Sequence, residues 1–272
     1  MPFRPHSPRY ALPGALLAVL LASAGARAQE LSLQWAEARA PGGGPLLYRE
    51  QHLLRSVGGR PRERLVLYRC PGGAAFARKH LDYTASAQAP AFALEDRRAG
   101  YAEGMRRNGA RVELYSRARG DAAERSAALP AAPAVVDAGF DEFVRAHWPR
   151  LLGGEALPLR FALPARGRAL SFQLQRLRAA RVAGEDAEWF RLRLGGLLGL
   201  VAPHIDVAYG ARSRRLLRFE GLSNLRDAGG KRQLHAHIDF PAPPRPASEA
   251  QWRAALAEAL VEACGSGQGA DS

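Results

Sequence analysis

The sequence has almost no lysine: Lys79 and Lys231 are the only two among 39 basic residues. Its positive charge is therefore arginine, which reads first as coding bias in a GC-rich genome. The alternative is attraction to an anionic surface such as lipid phosphate, which the guanidinium fork binds bidentately. Cysteine is as scarce, with Cys70 and Cys264 alone. In an oxidising compartment such a pair reads as one disulfide, tying a C-terminal helix to an early strand. The other reading is two partly buried thiols. Catalytic signatures are missing too: no G-x-S-x-G, H-E-x-x-H, P-loop or C-x-x-C occurs. The arginines are interspersed with Glu and Asp and follow no nucleic-acid-binding motif, so nucleic acid is not an expected partner. Past the first 28 residues, no run is long and apolar enough to cross a bilayer.

What is present begins with an export signal. Arg4 and Arg9 form a positive start, Ala11 to Ala24 an apolar core, and Ala26-Arg27-Ala28 a small-residue cleavage site. This pattern predicts a signal peptide over residues 1–28, cleaved after Ala28, and a periplasmic location. Removing it takes away three arginines and no acid, so the formal charge falls from +13 to +10. Residues 29–245 then read as one β domain. Residues 246–272 read as a C-terminal helix and a disordered tail.

Alternation dominates the middle of the chain. Phe190, Leu192 and Leu194 alternate with Arg191 and Arg193, and Ile205, Val207 and Tyr209 with His204 and Asp206. Leu234, Ala236, Ile238 and Phe240 alternate with His235 and His237. A period of two puts each set on one face, so the sheet has an oily and a charged side. Asn108-Gly109 and Gly58-Gly59 punctuate further hairpins. The apolar, glycine-rich Gly195 to Pro203 reads first as a bulge that turns a corner, and otherwise as a lip at the mouth of a cavity or a loop touching a membrane surface. About ten to twelve strands with short turns imply a mainly β fold, a strongly curved antiparallel meander that forms a half-barrel or open barrel. Gly120 to Pro133 reads as a connection rather than an element, and Pro241 to Pro246 as a stiff linker.

Two helices stand out. Phe140, Phe143, Val144, His147 and Trp148 share one face, with Asp137 as the expected N-cap and Pro149 as the stop. This helix is expected to pack on the concave face of the sheet. Ser248 and Gln251 form a capping box for the second helix. Trp252, Leu256, Ala259, Leu260 and Ala263 would line one of its faces, and Gly265 would end it.

Residues 216–227 (Leu-Leu-Arg-Phe-Glu-Gly-Leu-Ser-Asn-Leu-Arg-Asp), followed by Ile238-Asp239-Phe240-Pro241, resemble the end of an uncharacterised family of secreted envelope proteins in Gram-negative bacteria. Gly195 to Val207 fits the same pattern. That resemblance implies no established activity. The inferred architecture is also similar to the half-barrel of the lipoprotein-localisation carriers. That likeness is architectural, with no shared motif, so it carries over no ligand-binding residue.

These readings give a leading expectation: a non-enzymatic envelope protein binding a lipid or acylated peptide in the hollow of the sheet. Phe140, Trp148, Phe161, Phe172, Phe190, Leu192, Ile205 and Val207 are the expected cavity lining. One alternative is a structural or protein-interaction module with a filled core, recruiting an envelope partner through an exposed edge or the C-terminal helix. Another is a metal-dependent enzyme using His204, Asp206, His235 and His237, paired at i and i+2 on two strand faces. Cys70 near His52 or His80 would be a thiol nucleophile only if it stayed reduced. No cofactor is expected.

Overall fold

In the computed structural model, the residues described are 1, 29–109, 111–129, 135–196 and 203–265. The expected signal peptide, most of the Gly195–Pro203 bend and the last seven residues lie outside them. Fifteen strands form one antiparallel sheet. A first meander runs in order through β1 (Gln29–Arg39), β2 (Leu46–Val57), β3 (Arg60–Arg69), β4 (Ala75–Asp82), β5 (Ala91–Asp96), β6 (Tyr101–Asn108), β7 (Arg111–Arg117) and β8 (Arg125–Leu129). A second comprises β9 (Leu157–Leu163), β10 (Arg168–Val182), β11 (Glu185–Leu194), β12 (Ile205–Gly210), β13 (Leu216–Arg226) and β14 (Gln233–Asp239). The two join where β14 pairs with β1, with Ala38 opposite Ile238. A short β15 (Arg245–Pro246) adds beside Ser32 and Leu33 of β1.

β8 and β9 are the two ends of this path and do not pair among the described residues. Right-handed twist, summed over so many strands, curls the sheet until its ends approach. A Cβ on Gly167, past β9, would stand 3.2 Å from the Ala127 Cβ of β8. Val135 caps the β9 edge: it donates its N–H to Arg160 O at 3.1 Å and accepts from the Ala162 N–H at 3.0 Å. The sheet is thus curled but not closed.

The fifteen strands outnumber the ten to twelve expected. Small side chains hide one of the additional strands: Arg-Ser-Ala-Ala-Leu has no apolar alternation, yet it forms β8, inside the Gly120–Pro133 stretch expected to be a connection, because β7 offers a full ladder, Tyr115 opposite Ser126. The Pro241–Pro246 stretch is also not a plain linker, since its end joins β1 as β15.

Inside the curl lie α1 (Gly139–Ala146) and α2 (Trp148–Leu152). Their Phe140, Phe143, Val144, Trp148 and Leu151 pack on inward residues of β9 to β12. Two expectations about this segment need correction. Asp137 does not cap the helix; Ala138 holds that position, and Asp137 sits at φ 45° with its carboxylate turned to Lys79. Pro149 does not stop the helical path, because it falls in the first turn of α2, where a missing N–H costs nothing.

The convex face carries α3 (Glu249–Ala257). Ser248 Oγ accepts from the Gln251 N–H at 3.2 Å, and Gln251 Oε1 from the Ser248 N–H at 2.8 Å. Trp252 and Ala255 bury against Leu33, Leu53, Leu65, Leu67 and Ala75. The helix ends at Ala257, well before Gly265, so Ala259, Leu260 and Ala263 are not on its face. Tertiary contacts end it. Arg69 grips Glu258 through two bonds of 2.6 Å, and the Val261 N–H donates to Ala75 O at 2.8 Å. Cys70 and Cys264 then form a disulfide.

Candidate functional site

The eight expected cavity residues come together in one cluster over β9 to β12, beneath α1 and α2. Phe140, Trp148, Phe190, Leu192 and Val207 are buried there. Trp148 meets Phe190 edge-on at 5.4 Å between centroids, and Phe190 lies 6.1 Å from Tyr209. Phe161, Phe172 and Ile205 are only partly buried at the margin of the same cluster.

Alongside this apolar half runs a belt of buried charge that sequence reasoning missed. Lys79 of β4 reaches Asp137 at 2.8 Å, and Arg64 of β3 reaches Asp141 of α1 at 3.2 Å. The Tyr209 hydroxyl donates to the other Asp141 oxygen at 2.8 Å. These contacts bolt the first turn of α1 to strands on either side of it. Elsewhere in the interior, His52 and Glu50 approach to 2.6 Å. Glu103 accepts from Tyr101 at 2.6 Å and from Asn224 at 2.7 Å. A signal for them existed: Glu50, Lys79 and Glu103 sit at inward positions of the period-two pattern, where every neighbour on that face should be apolar.

Burial and partners set the protonation of this belt. Burial alone would lower Lys79, but Asp137 and Glu50 hold it above its ordinary value. Burial would raise Asp141, yet Arg64, Arg145 and the Tyr209 hydroxyl hold it below the usual carboxylate range. For Glu103 burial outweighs its two hydrogen bonds and the weaker pull of Lys79, and its carboxyl is pushed up. Burial likewise pushes Tyr83 up to about 12.

On the convex face, His204, Asp206, His235 and His237 line one groove of about 280 Å³ together with Pro203 and Glu220. The register explains the convergence. Asp206 lies opposite Glu220, and Glu220 opposite His237, on three adjacent strands. Among the described residues no three histidine, cysteine or carboxylate side chains stand as a formed metal cluster. The thiol-nucleophile reading of Cys70 fails, because its sulfur is in the disulfide.

Comparison with known proteins adds a likeness to a solved structure. The chain is similar to a β-barrel-like protein of the domain of unknown function DUF1849 from Brucella abortus. That solved structure shares 6% identity, covers 80% of this chain and 95% of its own, and superposes with a TM-score of 0.37. A likeness of that size carries no functional argument, and it lends nothing to the expected architectural similarity to the lipoprotein-localisation carriers. No protein-family model and no curated protein matches the chain.

Proposed function

We propose that this chain is an exported, non-enzymatic protein of the bacterial envelope that works through its surface, on a β scaffold filled by its own side chains. The burial of the inward residues carries the reading: Phe190 is 0% exposed, Val207 1% and Trp148 3%. A side chain facing a hollow wide enough for a guest keeps accessible area, and these keep almost none. The buried ion pairs that fix α1 support it as well, since a charge stripped of its partner in that setting is costly. Export rests on the residue 1–28 pattern and fits the disulfide, which persists in oxidising compartments such as the periplasm. The C-terminal helix is less suited to recruit a partner than the sequence indicates, because its Trp252 face is spent on the sheet. Native mass spectrometry of protein purified from the periplasm tests the reading. The expected mass is the polypeptide from Gln29 with one disulfide and no lipid; a retained lipid would overturn it.

A second reading is favoured by Phe161, Phe172 and Ile205, whose partial exposure leaves an apolar margin beside the filled cluster. An acyl chain laid there would contribute about 0.8 kcal/mol per buried CH₂. Fluorescent fatty-acyl probes that bind the protein but not a Phe172→Asp variant would establish it.

A further inference from the structure

We propose that the convex groove is a divalent-metal site, with His235, His237, His204 and Glu220 as ligands and Asp206 as their positioning residue. This goes beyond the function proposed above and does not depend on it. Three of the chain's seven histidines line this one groove. His235 and His237 are i and i+2 on β14, so both imidazoles leave the same face, with ring centroids 6.4 Å apart. Glu220 stands directly opposite His237. Directly opposed side chains start about 5 Å apart at Cβ, and diagonal neighbours stay within reach of long side chains.

The surrounding charges sort the two carboxylates. Asp206 is held by Arg191 through two bonds, 2.7 and 2.6 Å, so it is committed. The His204 Nε2 lies 3.7 Å from the same carboxylate, longer than a hydrogen bond, so that ring must turn slightly before Asp206 can orient it for ligation. Glu220 has no comparable clamp. Its contact with Arg218 is 3.7 Å, because that guanidinium turns to Asp239 at 2.5 Å. Three imidazoles and one uncommitted carboxylate form a donor set that suits Zn²⁺, Cu²⁺ or Ni²⁺. The donors do not converge as they stand, so binding requires side-chain rotation. His235 is exposed and His204 half-exposed, which leaves them room to turn.

Calorimetric titration of untagged protein with Zn²⁺ tests the assignment, alongside a His235→Ala/His237→Ala double variant, Glu220→Gln and the distant His80→Ala. The expected result is one Zn²⁺ per chain, weakened about tenfold or more in Glu220→Gln and further in the double variant. His80→Ala should bind like the parent. Electron paramagnetic resonance of Cu²⁺-loaded protein should show imidazole nitrogen couplings that the double variant loses. Absence of stoichiometric binding, or binding unchanged in the double variant, overturns the proposal.

Discussion

Lys79 and Asp137 meet at 2.8 Å inside the curled sheet, one on β4 and the other on the turn that launches α1. Asp137 holds φ 45° there, a left-handed conformation that Asp and Asn tolerate better than most residues. Lys79→Met removes the cation and leaves a buried carboxylate alone. The expected cost is about 3–5 kcal/mol in urea denaturation. Adding Asp137→Asn to that variant should restore most of the loss, since the charge goes and the backbone preference stays.

Asp141 and Glu103 should respond to pH with opposite signs. The Asp141 carboxyl is depressed, so its contribution is present above an unfolded pKa of about 3.9 and is lost as pH falls through its lower folded value. Glu103 is raised, so its contribution is present below about 4.3 and is lost as pH rises through the folded value. Thermal melts across pH should therefore show Asp141→Asn destabilising at pH 7 and flattening the acid limb below about pH 4. Glu103→Gln should be neutral or stabilising at pH 7.

Much of the fold was legible because it depends on alternation. Phe190, Leu192, Ile205 and Val207 announce their faces by a period of two, and the Phe140–Trp148 stripe announces a helix that must be covered. The interior was read less well. Alternation marks which residues point inward but not how tightly they meet, so a packed cluster and a greasy hollow give the same pattern. The ion pairs of α1 were hidden for a different reason: Lys79 and Asp137 are 58 residues apart, and only the curl brings them together. The convex groove was half visible, since the i, i+2 histidines show in sequence. Glu220 joins them only through the register of β13.

Gly139 opens α1, where alanine would ordinarily be favoured by about 1 kcal/mol. Here a Cβ would come within 2.1 Å of the Gln88 carbonyl oxygen and 2.8 Å of Pro90 Cδ. Gly139→Ala should therefore destabilise the protein, and chemical denaturation should show the reversed sign. A gain in stability would mean that the helix can lift away from the β4–β5 connection.

The tail clasp should matter to stability out of proportion to its length. Cys70 and Cys264 are 194 residues apart, so their bond restrains a long loop of the unfolded chain. Reduction, or a Cys70→Ser/Cys264→Ser variant, should cost about 2–5 kcal/mol. Trp252→Ala, which empties the α3 contact, should cost about 3–5 kcal/mol. Melting curves with and without reductant separate the two effects.

Xenon seeks dry apolar voids, so a crystal pressurised with xenon asks most directly whether the curled sheet is full. A filled interior predicts no bound xenon among Trp148, Phe190, Val207 and Tyr209. An ordered xenon atom in that cluster would contradict the account and return the molecule to the class of hollow carriers.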